Sequence, residues 1–227
     1  MLDIALFVVF PYAAVLLAVV GTLYRYFTDQ ASFSSLSSQF LESENLFWGS
    51  TLWHYGVVPI LLIHLGAFTV PKVMGLMHSS PEMLYMAELM GKVFAFMALA
   101  GVGALIVRRV RTSKIRVVTT AMDWVVLVLL FSQILLGLWT SIFYRWGAAW
   151  FLHTATPWAA SLATFQPQPE YVTALPWVPK LHILNATLLI ALFPFSRLVH
   201  LVTFPVTYLW RRFQLVIWGR RKDAARG

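Results

Sequence analysis

The chain has 227 residues, 59% hydrophobic and 11% charged, with a mean hydropathy of +0.74; soluble domains carry roughly one-quarter charged residues, so a membrane protein is expected. It has no cysteine, which excludes disulfides, thiolate-bound zinc, iron–sulfur clusters within this chain and thioether-attached haem. The formal charge of +8 needs no nucleic acid in this setting: topology and anionic lipid headgroups account for it, with docking of a cytoplasmic partner as the sharper alternative.

Five stretches approach the roughly 20 apolar residues that a spanning helix requires: residues 4–24, 46–70, 83–107, 122–144 and 180–202. The expectation is an all-α integral membrane bundle of five transmembrane helices, forming one domain over residues 1–227 with a basic tail from about residue 206. The first stretch starts at Asp3 without an early Lys or Arg and is too long for a cleavable signal, so it is expected to stay as the first span. A short Ser-rich loop, "SFSSLSSQF" (32–40), follows it. The second stretch carries His54 and His64 with Pro59 between them. The third holds Glu88 and Lys92, four residues apart and so able to pair along one face. Its Gly101 and Gly103 suit close helix packing, and the basic run "RRVRTSKIR" (108–116) follows. After the fourth stretch, residues 144–179 contain four Trp and five Pro and are expected to lie on the outer interface, where Trp is favoured. The fifth carries His182, Pro194, Arg197 and His200. The remaining histidines, His78 and His153, read as solvated loop residues, with proton release as the alternative role.

Basic residues favour the cytoplasmic side of short loops. Five lie in 108–116, seven from Arg197 onward, and Arg25 follows the first span; only Lys72, Lys92, Arg145 and Lys180 fall on the other side. The N-terminus is therefore expected outside and the C-terminus in the cytoplasm.

Ionisable groups at membrane depth are costly and mark function. The second and fifth spans run antiparallel, which puts His54 at the depth of His200 and His64 at the depth of His182. Two imidazoles facing across a gap between helices are what a six-coordinate haem needs, since the porphyrin fills the four equatorial positions. Two pairs imply two stacked haems. The alternatives are a histidine proton or metal pathway, and histidines bonded only to neighbouring helices. A transporter reading lacks carboxylates, because Glu88 is the only Asp or Glu well inside a span. Along an ideal helix His182 and His200 are five turns apart, about 27 Å, whereas His54 and His64 are about 15 Å apart with side chains ~80° askew. Matching them requires bent helices, and Pro59 and Pro194 are the residues able to bend them. Arg197, three residues before His200, is on the same face and suits a haem propionate or the lipid headgroups.

The segments "LFPFSRLVH" (192–200), "KLH" (180–182), "SSQFLESENLFWGSTLWHYG" (37–56) and "TTAMDW" (119–124) resemble the gamma subunit of respiratory nitrate reductase, a membrane cytochrome b. The resemblance covers nearly the whole chain. It implies two haem b groups, the inner held by His54 and His200 and the outer by His64 and His182. It also implies quinol oxidation near the outer haem, with electrons passing inward to an iron–sulfur beta subunit and a molybdenum-containing alpha subunit, in a bacterial or archaeal cytoplasmic membrane. A cytochrome b anchor of a formate dehydrogenase, hydrogenase or sulfur-metabolism complex would keep the haems and change the partner. Where the family has a quinol-site lysine near the outer end of the third span this chain reads "PEMLYM" (81–86), and Ile63 precedes His64 in place of a small residue. Lys92 and Glu88 are the nearest candidates for the quinol site.

Overall fold

A computed structural model describes residues 1–29, 44–76 and 79–202. The Ser-rich loop, His78 and the basic tail from about residue 206 lie outside the described residues. The regular elements are all helical: α1 (Leu2–Thr28), α2 (Glu44–Thr69), α3 (Pro71–Leu76), α4 (Pro81–Arg111), α5 (Ser113–Val117), α6 (Ala121–Phe143), α7 (Gly147–His153), α8 (Ala155–Ala163), α9 (Glu170–Thr173) and α10 (Trp177–Leu192). Two 3₁₀ turns, Phe193–Phe195 and Arg197–Leu201, extend the last helix. Five of these helices are long and apolar enough to cross a membrane: α1, α2, α4, α6, and α10 with its first turn.

Local chemistry explains the ends and irregularities. Pro11 has no N–H to give the Phe7 carbonyl one turn earlier, and the backbone there widens into a π turn over Ala5–Val9. The Phe7 carbonyl instead accepts the indole N–H of Trp158 at 2.9 Å. Ser80 caps α4 by accepting from the Met83 amide. Thr120 and Asp123 start α6 with a reciprocal capping box. Two expectations are corrected. The fifth span is not one helix over 180–202, because α10 stops at Leu192, where Pro194 cannot continue the hydrogen-bond ladder and Ser196 is extended. Residues 144–179, read from sequence as an outer loop, are largely helical, as α7, α8 and α9; Trp158 and Val172 from this segment bury against Phe7 of α1.

The spans pack in the order α1, α10, α6, α4, α2, and α2 with α4 form the most extensive pair. Glycines make that closeness possible. A Cβ on Gly56 would strike the Ala98 backbone and one on Gly101 the Trp53 backbone, whereas one on Gly103 would meet nothing. The central core joins Ala98 and Val102 of α4 to Leu127, Ile134 and Leu138 of α6, with Trp53 and Val57 of α2 against it. At one end of the bundle, Arg25 of α1 meets the turns after α10, and Arg109 of α4 and Asp123 of α6 meet Arg197. At the other end α8 and α9 cover the start of α1. The spans therefore alternate up and down.

Candidate functional site

In that packing order α2 and α10 are not neighbours; α4 and α6 stand between them. Four histidines, His54 and His64 of α2, His182 of α10 and His200 of the turn that follows it, form two ring pairs between α2 and the fifth-span segment. The ring centroids of His54 and His200 are 6.2 Å apart with planes at 74°, and those of His64 and His182 are 6.5 Å apart with planes at 42°. The structure thus brings together the residues that antiparallel topology places at equal depth.

Three of the four rings have their tautomer set by backbone. His54 Nδ1 lies 2.7 Å from the Ser50 carbonyl, His64 Nδ1 2.8 Å from that of Ile60, and His200 Nδ1 2.7 Å from that of Arg197. A carbonyl can only accept, so each Nδ1 carries the proton and each Nε2 keeps its lone pair, the state in which imidazole binds a metal. His182 is held differently. Asn185 donates to the Leu129 carbonyl and to Gln133 Oε1, which turns the Gln133 amide N–H toward His182 Nε2 at 3.2 Å. His182 Nδ1 is buried without a hydrogen-bond partner. Gly137 leaves space for this ring, since a Cβ there would stand 3.0 Å from His182 Cε1. Phe151 of α7 packs edge-on against His64 at 5.5 Å.

The pairs suit haem iron better than an all-protein metal centre. Two metal–imidazole bonds of about 2 Å, with roughly 1 Å from each nitrogen to its ring centre, put two axial histidines roughly 6 Å apart, centre to centre; both pairs are close to that. Among the described residues no cluster of three or more His, Asp and Glu could cage an ion. Each pair offers two nitrogens, the number that an iron already held by four porphyrin nitrogens needs. His182 asks for adjustment by rotation of its ring, because its Nδ1 has no partner among the described residues and its Nε2 faces the Gln133 amide N–H.

Around His200 the charges are tied together. Arg197 Nε is 2.8 Å from Asp123 Oδ1, and its Nη2 donates to the Val118 carbonyl. Arg109 approaches the other Asp123 oxygen at 3.8 Å, and that oxygen also accepts the Thr120 amide. Sequence reasoning did not single out Asp123, Gln133 or Asn185. For Asp123 the signal was the T-x-x-D spacing in "TTAMDW". Gln133 and Asn185 could have been found as uncharged polar residues inside apolar spans.

Glu88 and Lys92 do pair on one face of α4, at 3.6 Å. Glu88 Oε1 is buried and has no hydrogen-bond partner. The pair lines a cavity of about 190 Å³ with Tyr85, Ser141, Arg145 and Trp146. Ser141 is one turn along α6 from Gly137, about 6 Å, so the cavity opens close to the His64–His182 pair. His153 is exposed at the end of α7.

A helical five-span membrane protein with paired histidines facing across its open side is the class that fold and site define. The chain belongs to the nitrate reductase gamma subunit family, whose model matches residues 3–219. It is 31% identical to the respiratory nitrate reductase 1 gamma chain of Escherichia coli K12, over 95% of this chain and 97% of that one. It is 29% identical to the nitrate reductase gamma chain of Bacillus subtilis, over 94% of this chain and 96% of that one. The nitrate reductase-like protein NarX of Mycobacterium tuberculosis is 29% identical over 95% of this chain. The chain spans about a third of the length of NarX.

Proposed function

We propose that the chain is the di-haem cytochrome b subunit of a respiratory nitrate reductase. It oxidises quinol near the outer face of the cytoplasmic membrane and delivers electrons to an iron–sulfur beta subunit and a molybdenum-containing alpha subunit on the cytoplasmic side. The observation that carries this reading is the pair of histidine couples, 6.2 and 6.5 Å between ring centres, between helices that share no extensive contact among the described residues. His54 and His200 would hold the inner haem and His64 and His182 the outer one, with Arg197 offering charge to an inner propionate. Bound there, the haems would supply one-electron carriers between quinol and the acceptor subunits.

The chain's own residues position and deprotonate. The Ser50, Ile60 and Arg197 carbonyls accept from the Nδ1 of three histidines, which makes Nε2 the ligating nitrogen of each. In the cavity beside the outer pair, the Glu88 carboxylate is the acceptor for a quinol hydroxyl proton. Lys92, 3.6 Å from Glu88, orients the quinol oxygen as a donor. Each quinol yields quinone, two electrons and two protons; the protons leave outward while the electrons go in. That charge separation is worth about 2.3 kcal/mol per electron for each 100 mV of membrane potential. The five spans run with the N-terminus outside and the C-terminus in the cytoplasm, where the basic residues 108–116 face anionic lipid and the partner subunits.

A pyridine haemochrome assay on the fully loaded subunit tests the core of this reading. Two b haems per chain are expected, with His54→Ala removing the inner and His64→Ala the outer. Iron at less than about half of that stoichiometry is incompatible with two bis-histidine sites. Co-purification with a nitrate-reducing partner distinguishes this complex from a formate, hydrogen or sulfur enzyme.

A further inference from the structure

The inner histidine pair has an unusual foundation. His54 sits inside a regular helix, but His200 follows a break: α10 ends at Leu192, and the chain reaches His200 through two 3₁₀ turns joined at the extended Ser196. Such a break leaves carbonyls without helical partners, and near a membrane each unsatisfied carbonyl is costly. Ser196 satisfies part of the need, its hydroxyl donating to the Phe193 carbonyl and accepting the Leu198 amide. The carbonyls of Pro194 and Ser196 are satisfied from another span. Arg25 of α1 donates to both through one nitrogen, Nη1, at 2.6 and 2.9 Å. One turn earlier on the same face, Gly21 admits the break: a Cβ there would stand 2.8 Å from Pro194 Cγ.

We propose that Arg25, with Gly21, is a positioning residue for His200: α1 carries no histidine, yet it holds the turn that aims this ring at His54. This rests on the reading of His54 and His200 as the inner haem pair. The Arg25 guanidinium fixes the carbonyls on both sides of the extended residue, and the segment then runs directly into Arg197, whose carbonyl sets the His200 tautomer. Asp123 holds Arg197 from the opposite side, so the turn is gripped by α1 and α6 together.

The test compares Arg25→Met, Arg25→Lys and Gly21→Val in the full complex. Haem content and redox titration of each haem are measured, with hydrogen exchange of residues 193–201 in the haem-depleted subunit. Arg25→Met should weaken haem binding at the inner pair about 10-fold or more, the usual consequence of losing a supporting contact, and shift the potential of what remains. The outer haem should keep its amount and potential. Exchange in residues 193–201 should quicken, Arg25→Lys should restore part of each signal, and Gly21→Val should reproduce the inner-haem defect. Unaltered inner haem and exchange in Arg25→Met overturn the proposal, as does equal loss of both haems, which would make Arg25 a general anchor. If the parent protein holds no haem, the functional reading fails instead, and faster exchange confined to residues 193–201 still supports the grip on the turn.

Discussion

At the scale of single residues, space and proton acceptance decide what the half of the bundle around His64 and His182 can do. Gly137 is the clearest case of space, because the His182 ring fills the position where its side chain would begin. Gly137→Val should displace that ring and remove or shift the outer haem while the inner haem keeps its spectrum, as read by redox titration of the two b haems. Gly103→Ala, at a position facing nothing within 4 Å, should leave both unchanged. Glu88 is the case of proton acceptance: its carboxylate lines the cavity, and its Oε1 is buried without a donor among the described residues. A carboxamide cannot take a proton, so Glu88→Gln should slow quinol-driven nitrate reduction by roughly 100-fold, the low end of general acid–base contributions. Both haem spectra, and nitrate reduction by an artificial donor to the soluble subunits, should be unaffected. Lys92→Ala should have a smaller effect in the same assay, because Arg145 still lines the cavity. Unchanged quinol turnover in both variants would reduce the two to a lateral ion pair on α4.

At the scale of elements, α2 has one extensive support among the described residues, its glycine-lined seam with α4. Overpacking there costs about 1–3 kcal/mol, and more where backbone must move. Gly56→Val and Gly101→Val should therefore lower the thermal stability of the purified subunit and impair both haems together, since His54 and His64 ride on the displaced helix. This contrasts with the selective effects of Gly137→Val and Arg25→Met. The long elements were legible because hydropathy registers length, and five apolar stretches leave little chain for anything else. The pairing of His54 with His200 and His64 with His182 was legible from alternation alone. The end of α10 at Leu192 was not, because "FPFSRLVH" stays apolar enough to extend a span on paper. Pro194 signalled a bend, but whether helix resumes after a proline depends on what satisfies the freed carbonyls, and here that partner is Arg25, 169 residues away. The helices α7 to α9 were hidden for a related reason. Their tryptophans carry no helical signal in the sequence, and Trp158 is buried and bonded to a carbonyl that Pro11 left free.

At the scale of the whole molecule, the question is which end faces the cytoplasm. One end gathers Arg25, Arg109, Asp123 and Arg197 with the short helix α5, and the other carries α7 to α9 over the start of α1. Basic residues are retained in the cytoplasm because moving them outward against the membrane potential is costly. The end that carries the basic run 108–116 should therefore be cytoplasmic. The chain offers a clean assay, since it contains no cysteine. Ser113 on α5 and Gln166 after α8 are both exposed, at opposite ends. In intact cells, or spheroplasts where an outer membrane must be removed, an impermeant maleimide should label Gln166→Cys and leave Ser113→Cys unmodified. In inverted vesicles the pattern should reverse. With the soluble subunits bound, Ser113→Cys in inverted vesicles should become protected, since the basic face is where they would dock. The opposite labelling pattern would invert the direction of electron flow: quinol would be oxidised on the cytoplasmic side, and the Glu88 cavity could not serve as the outward proton exit.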